Sequence, residues 1–112
     1  MKNDRDQREL LLSLGWLYIR CGHHRRGLVL VLLAALSAPE DIAAQRALAW
    51  ALVVNGSGEE ALATLDALEP GAAEPPDPAI KLLRSRALWL TGRTEAARRC
   101  FAEFVALRGG AA

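Results

Sequence analysis

A chain of 112 residues is enough for one domain, able to bury roughly two-thirds of its unfolded surface. Leu and Ala dominate a composition that is 52% hydrophobic and 24% charged, which excludes a disordered chain and favours packed helices over sheet. Fourteen basic against thirteen acidic residues leave no net field to gather nucleic acid or an anionic membrane.

The chain opens with "MKNDRDQRE", too polar and acidic for a secretory signal. Leu11, Leu14, Gly15 and Tyr18 then recur at the spacing of one helical face and predict a helix over 7–20. A second helix is predicted over 24–37. Its apolar run "GLVLVLLAAL" at 27–36 is about half the length needed to cross a bilayer, and Pro39 stands where the helix must end. A third helix is predicted over 42–54 and a fourth over 58–68, the latter with Ser57 and Glu60 spaced as a capping box. "EPGAAEPPDP" at 69–78 is the one long connector, stiffened by its prolines. Asp77 before Pro78 caps a fifth helix over 78–90, a sixth covers 94–107, and the tail "RGGAA" should fray.

These elements repeat. Gly22, Gly56 and Gly92 lie 34 and 36 residues apart, and each is followed five positions later by a small residue: Gly27, Ala61 or Ala97. A period of 34 is that of the tetratricopeptide hairpin. Glycine after an amphipathic helix permits the left-handed turn. The small residue lets two helices approach, and the large residue four positions on (Val31, Leu65, Phe101) fills the adjoining space. The expected fold is all-α: one domain of three stacked tetratricopeptide-like hairpins, approximately 8–41, 42–75 and 78–109, forming a short right-handed solenoid. The second hairpin keeps Leu48, Ala49, Leu52 and Leu68 in the pattern, whereas the third departs from it at Arg84 and Ser85.

The reactive side chains concentrate in "CGHH", where Cys21 ends one helix, Gly22 turns, and His23 and His24 open the next. Adjacent histidines at a helix start point in different directions, the sequence holds no third, and zinc normally takes three or four ligands. No orienting group accompanies a Cys–His pair either. The reading is turn residues with Cys21 partly buried, reduced thiols at Cys21 and Cys100, no metal and no cofactor. "NGSG" lacks the lysine and strand of a phosphate loop. Arg25-Arg26 and Arg98-Arg99 are interleaved with acids, as on solvated faces, so no nucleic-acid partner is expected.

One feature exceeds structural need. "LVLVLLAAL" at 28–36 is apolar around the whole circumference of a helix, so the helix is either sandwiched within the array or meets a partner. Trp16, Trp50 and Trp89 suit a core or an interface, and the concave surface of stacked hairpins is the functional suspect.

"ELLLSLGWLYIRCGHHRRGLVLVLLAAL" at 9–36, "ALVVNGSGEEA" at 51–61 and "RALWLTGRTEAARRCFAEFVAL" at 86–107 resemble the small YscY-type chaperones of bacterial type III secretion. Gly15-Trp16-Leu17, the Cys21-Gly22-His23 turn and Arg26 carry the resemblance, which covers nearly the whole chain. It implies a cytoplasmic protein without enzymatic activity or membrane insertion. Such a protein binds and stabilises a small secreted protein of the YscX type and helps bring it to an export gate of the SctV type. The implied grip is a groove with Leu14, Trp16, Leu17, Leu48, Leu52 and Leu88, while His23 carries over without catalytic duty. The proline-rich insertion and the Ala-rich second hairpin depart from the pattern. Rival readings are a needle-subunit chaperone, a generic tetratricopeptide scaffold, and an enzyme or metalloprotein. Groove surface left without a client also points to a homodimer of the free chain.

Overall fold

The chain reverses direction at Gly22, Gly56 and Gly92, which take φ of +91°, +82° and +81°. In each turn the glycine N–H donates to the carbonyl three residues back. The next N–H reaches five residues back, as in His23 N to Tyr18 O at 2.8 Å and Ser57 N to Leu52 O at 2.8 Å. This Schellman arrangement satisfies helix-terminal carbonyls and needs the left-handed conformation that glycine adopts without strain. In the computed structural model, residues 2–68 and 77–109 are described. They form α1 (Lys2–Arg20), α2 (His24–Ser37), α3 (Ile42–Val54), α4 (Gly58–Leu68), α5 (Pro78–Leu90) and α6 (Thr94–Gly109). Most of the connector 69–78, and the end of the tail, lie outside the described residues.

The helices pair as three stacked hairpins, giving the all-α tetratricopeptide-like array expected from the glycine period. The backbones of α1, α3 and α5 approach one another in succession, whereas among the described residues those of α2 and α4, and of α4 and α6, do not. The row of α1, α3 and α5 is therefore the tighter, and the array curves around it.

Small residues set the spacing within each hairpin. A methyl group at Gly15 would lie 2.6 Å from Val31 Cγ2 and 3.0 Å from the Gly27 carbonyl oxygen. One at Gly27 would collide with Ile19 and stand 2.6 Å from the Gly15 carbonyl oxygen. At the same register, Ala49 with Ala61 and Ser85 with Ala97 are all buried. Ser85 departs from the apolar pattern at no cost, because its hydroxyl donates to Leu82 O at 2.8 Å. Val31 and Leu65 fill the space beside these crossings and are fully buried.

Two arginine–aspartate pairs tie successive hairpins. Asp41 caps α3, Oδ1 accepting from Ala43 N at 3.0 Å and Ala44 N at 3.3 Å, while Oδ2 accepts from Arg8 Nε at 2.8 Å. Asp77 caps α5 by accepting from Ala79 N at 2.9 Å and pairs with Arg46 Nη2 at 2.8 Å. The capping box expected at Ser57 gives way to another bond: its hydroxyl accepts from Asn55 Nδ2 at 3.0 Å, inside the turn. α1 begins at Lys2, five residues before the start predicted from the apolar pattern. Asp4 lies in its first turn, and Arg5 pairs with Glu9 one turn on at 3.3 Å, so charge extends a helix that hydropathy alone does not announce.

The Arg8 hydrogen bond holds the Asp41 carboxyl below the usual carboxylate range; it outweighs the opposing effect of burial, and the Ala44 and Ala43 N–H groups add to the lowering. A depressed folded pKa means that this stabilisation is complete above the unfolded value of about 3.9 and is lost as pH falls through the folded value. Asp41→Asn keeps a capping oxygen but removes the charge. Its stability deficit, measured by urea unfolding, is expected in full at pH 7 and to shrink as pH drops below about 4. For the crossing, Gly27→Ala is expected to lose about 1–3 kcal/mol despite the better helix propensity of alanine, because the Gly15 backbone cannot swing aside. Gly109→Ala, with open space around it, is the neutral control in the same assay.

Candidate partner-binding site

The six residues expected to line a groove fall into two groups. Leu14, Trp16 and Leu17 of α1 are exposed. Leu48 and Leu52 of α3 are only 8% and 9% exposed and belong to the central core, and Leu88 packs half-buried against it. The assignment of Leu48 and Leu52 to a groove is therefore corrected. α3 is the middle helix of its row and is covered by α1 and α2 on one side and by α4 and α5 on the others. The residues sequence reasoning singled out are thus not brought together in one surface.

Aligning the hairpins at their turn glycines explains the division. Leu14, Leu48 and Arg84 share one position, as do Leu17, Ala51 and Ala87. Ala51 and Ala87 are fully buried against the preceding hairpin. Among the described residues no hairpin packs on that side of α1, and Leu10, Leu14 and Leu17 form an open stripe at i, i+4 and i+7. The same end effect corrects the reading of Cys21 as partly buried. The thiol is exposed, whereas Asn55 and Thr91 at its position are half-covered.

α2 adds a second apolar surface. Val31, Ala34 and Ala35 face the core, while Val29, Leu32, Leu33 and Leu36 are exposed at i, i+3, i+4 and i+7. The sandwiched alternative for this helix is thus corrected, since among the described residues nothing covers that stripe. At the positions of Val29, Leu32 and Leu33, α4 has Ala63, Asp66 and Ala67, and α6 has Arg99, Ala102 and Glu103. Two helices of three thus present small or charged groups where α2 presents branched apolar ones. Sequence reasoning found the anomaly of this helix but did not name these residues among the site. The signal was available in the register comparison.

Aromatic groups mark the inner row. Trp16 and Trp50 occupy one repeat position on α1 and α3, Trp16 exposed under the Arg20 guanidinium at 5.6 Å and Trp50 half-buried against the core. A third apolar area lies at the far end. Phe101, expected to fill a hairpin interior as Val31 and Leu65 do, is instead half exposed in the same cavity lining as Trp89, because no described helix packs over it.

His23 and His24 are exposed, with the His23 ring edge-on to Tyr18 at 6.0 Å. Cys100 is buried, its Sγ 3.3 Å from Lys81 O. Among the described residues no group of three or more His, Cys, Asp or Glu side chains converges to hold a metal, and no helix is long and apolar enough to cross a membrane.

A tetratricopeptide-repeat family model matches residues 42–67 and 78–103, the second and third hairpins. Over 108 residues the chain is 32% identical to the chaperone protein YscY of Yersinia enterocolitica and to that of Yersinia pestis, covering 91% of this chain and 88% of each relative. The chain belongs to the YscY family. That alignment takes in the first hairpin, which the repeat model does not reach and which carries the exposed α1 and α2 stripes.

The burial pattern separates core from surface in a stability measurement. Leu48→Ala and Leu52→Ala are expected to lose about 2–5 kcal/mol each. Trp16→Ala and Leu17→Ala should stay within about 1 kcal/mol of wild type, as read by urea unfolding.

Proposed function

We propose that this chain is a cytoplasmic chaperone of bacterial type III secretion that binds a small export client of the YscX type, keeps it soluble and helps present it to an export gate of the SctV type. The observation that carries this reading is the uncovered stripe Val29–Leu32–Leu33–Leu36, on a chain whose other hairpins are small or charged at the positions of Val29, Leu32 and Leu33. A stripe of branched apolar side chains of this kind is costly to leave in water and serves as a binding surface. Similarity to proteins named chaperone over nearly the whole chain supports the same reading.

The mechanism is stoichiometric. A client lays apolar side chains across α1 and α2, which removes both surfaces from water, and the charged positions around them set register. This chain contributes no catalytic step. Release follows from competition at the gate, where a second surface binds the client or the chaperone.

Co-expression with small secreted proteins of a type III system tests the proposal. The expected outcome is a stable complex with one client, detected as a change in native mass. Leu32→Glu with Leu36→Glu should leave the unfolding transition near that of wild type while weakening the complex at least about 10-fold. A chain that stays monodisperse and unchanged in mass with every such protein would overturn the reading.

A further inference from the structure

The contact between successive hairpins is made twice in this chain by the same parts. A stripe on the following helix, Ala44–Leu48–Ala51 in α3 and Ile80–Arg84–Ala87 in α5, faces the preceding hairpin. It lies over a floor of four positions: Gly15, Ile19, Gly27 and Val31 in the first hairpin, and Ala49, Val53, Ala61 and Leu65 in the second, all buried. The third hairpin has the same floor in Ser85, Trp89, Ala97 and Phe101, but among the described residues no helix fills it. A cavity of about 510 Å³ remains between α5 and α6, and Trp89 and Phe101 are 60% and 49% exposed.

Two changes in the floor say what helix would fit it. Val53 and Leu65 are replaced in register by Trp89 and Phe101, so the filling helix has less room and needs small residues where α3 and α5 place Ala51 and Ala87. Arg98 stands at the position of Leu28 and Leu62, which pack in and against the core, and Arg86 lines the other side. In the second junction an ion pair already sits near this position: Arg84 of the filling helix meets Asp66 of α4 at 2.9 Å. In the third groove the polarity is reversed, with the cation on the floor. Arg98 has only an exposed 3.9 Å pairing with Glu95.

We infer that the α5–α6 groove is a docking site for an acidic amphipathic helix of a partner protein, which takes the place of a seventh helix and sets a carboxylate against Arg98. A second copy of this chain fits the groove poorly. Its free stripe, Leu10–Leu14–Leu17, brings leucine to the position of closest approach and no acid to the centre. That the helix comes from the export client rests on the chaperone reading, whereas the chemistry of the groove does not.

The probe is a helix-stapled peptide of residues 41–55, a segment that already fills such a groove, carrying Leu48→Glu and titrated into the full chain by calorimetry. The peptide is expected to bind the wild-type chain and to bind Arg98→Glu about 10-fold or more weakly. A peptide carrying Leu48→Lys should show the opposite preference. Trp89→Ala, truncating a side chain mostly in solvent, should weaken the Glu peptide without shifting the unfolding transition. Absence of binding, or equal binding of the two peptides, overturns the inference. So does concentration-dependent growth of the free chain in sedimentation that Leu17→Glu abolishes, which would assign the groove to a second copy. In the co-expressed complex, a client held equally well by wild type, Arg98→Glu and Trp89→Ala removes the groove from client binding and leaves the chaperone reading intact. A wild-type chain that holds no client sinks that reading without touching the peptide result.

Discussion

The architecture depends on the contact of Gly15 with Gly27, where the α1 and α2 backbones come so close that neither position has room for a methyl group. The second and third hairpins repeat it with Ala49 and Ala61, and with Ser85 and Ala97. Close crossing sends the next large side chain, Val31 or Leu65, into the notch between helices, where it meets the stripe of the following helix. Packing inside one hairpin therefore shapes the floor on which the next one sits. A residue as small as Gly27 thus governs contacts made by α3, with which it shares no turn.

Electrostatics adds direction to this stacking more than strength. Arg8–Asp41 and Arg46–Asp77 each place a guanidinium on a carboxylate that also caps the next helix of the inner row. The pairs are partly exposed, so their energetic worth is modest. Their geometry is specific, because the carboxylate is already fixed by backbone N–H groups at the helix start. Only one register of the following helix satisfies cap and arginine together.

Helix boundaries and pairing were legible in the sequence because they are local. Gly22, Gly56 and Gly92 declare the turns, and Gly27, Ala61 and Ala97 declare the crossings, through properties those residues have in any surroundings. Exposure was less legible because it is not local. Leu14 and Leu48 occupy the same position of the repeat with the same side chain, yet one is open and the other is core. The difference comes from what lies beside the helix, and a residue pattern read one hairpin at a time does not contain it. Phe101 was misplaced for the same reason, having been assigned the environment of Val31 and Leu65. Register comparison between hairpins recovers part of this information. It shows Leu32 and Leu33 where the sister helices carry Asp66, Ala67, Ala102 and Glu103, an excess that no internal contact explains.

A repeat array with open ends has binding surfaces built into its construction. Among the described residues three hairpins supply three stripes and three floors that meet only twice, leaving the α1 stripe at one end and the α5–α6 floor at the other. Repeat proteins ordinarily cover such ends with polar capping residues. Here Leu10, Leu14 and Leu17 stay apolar at one end, and Trp89 and Phe101 enlarge the apolar area at the other. Polar substitution of exposed positions is cheap in stability, as Arg99 and Glu103 on α6 illustrate, so the fold itself does not demand these side chains. The two ends differ in chemistry, leucine-rich at α1 and aromatic with arginine at α5–α6. A partner reaching both must therefore present different segments to each, extended along the array and not packed against a single face.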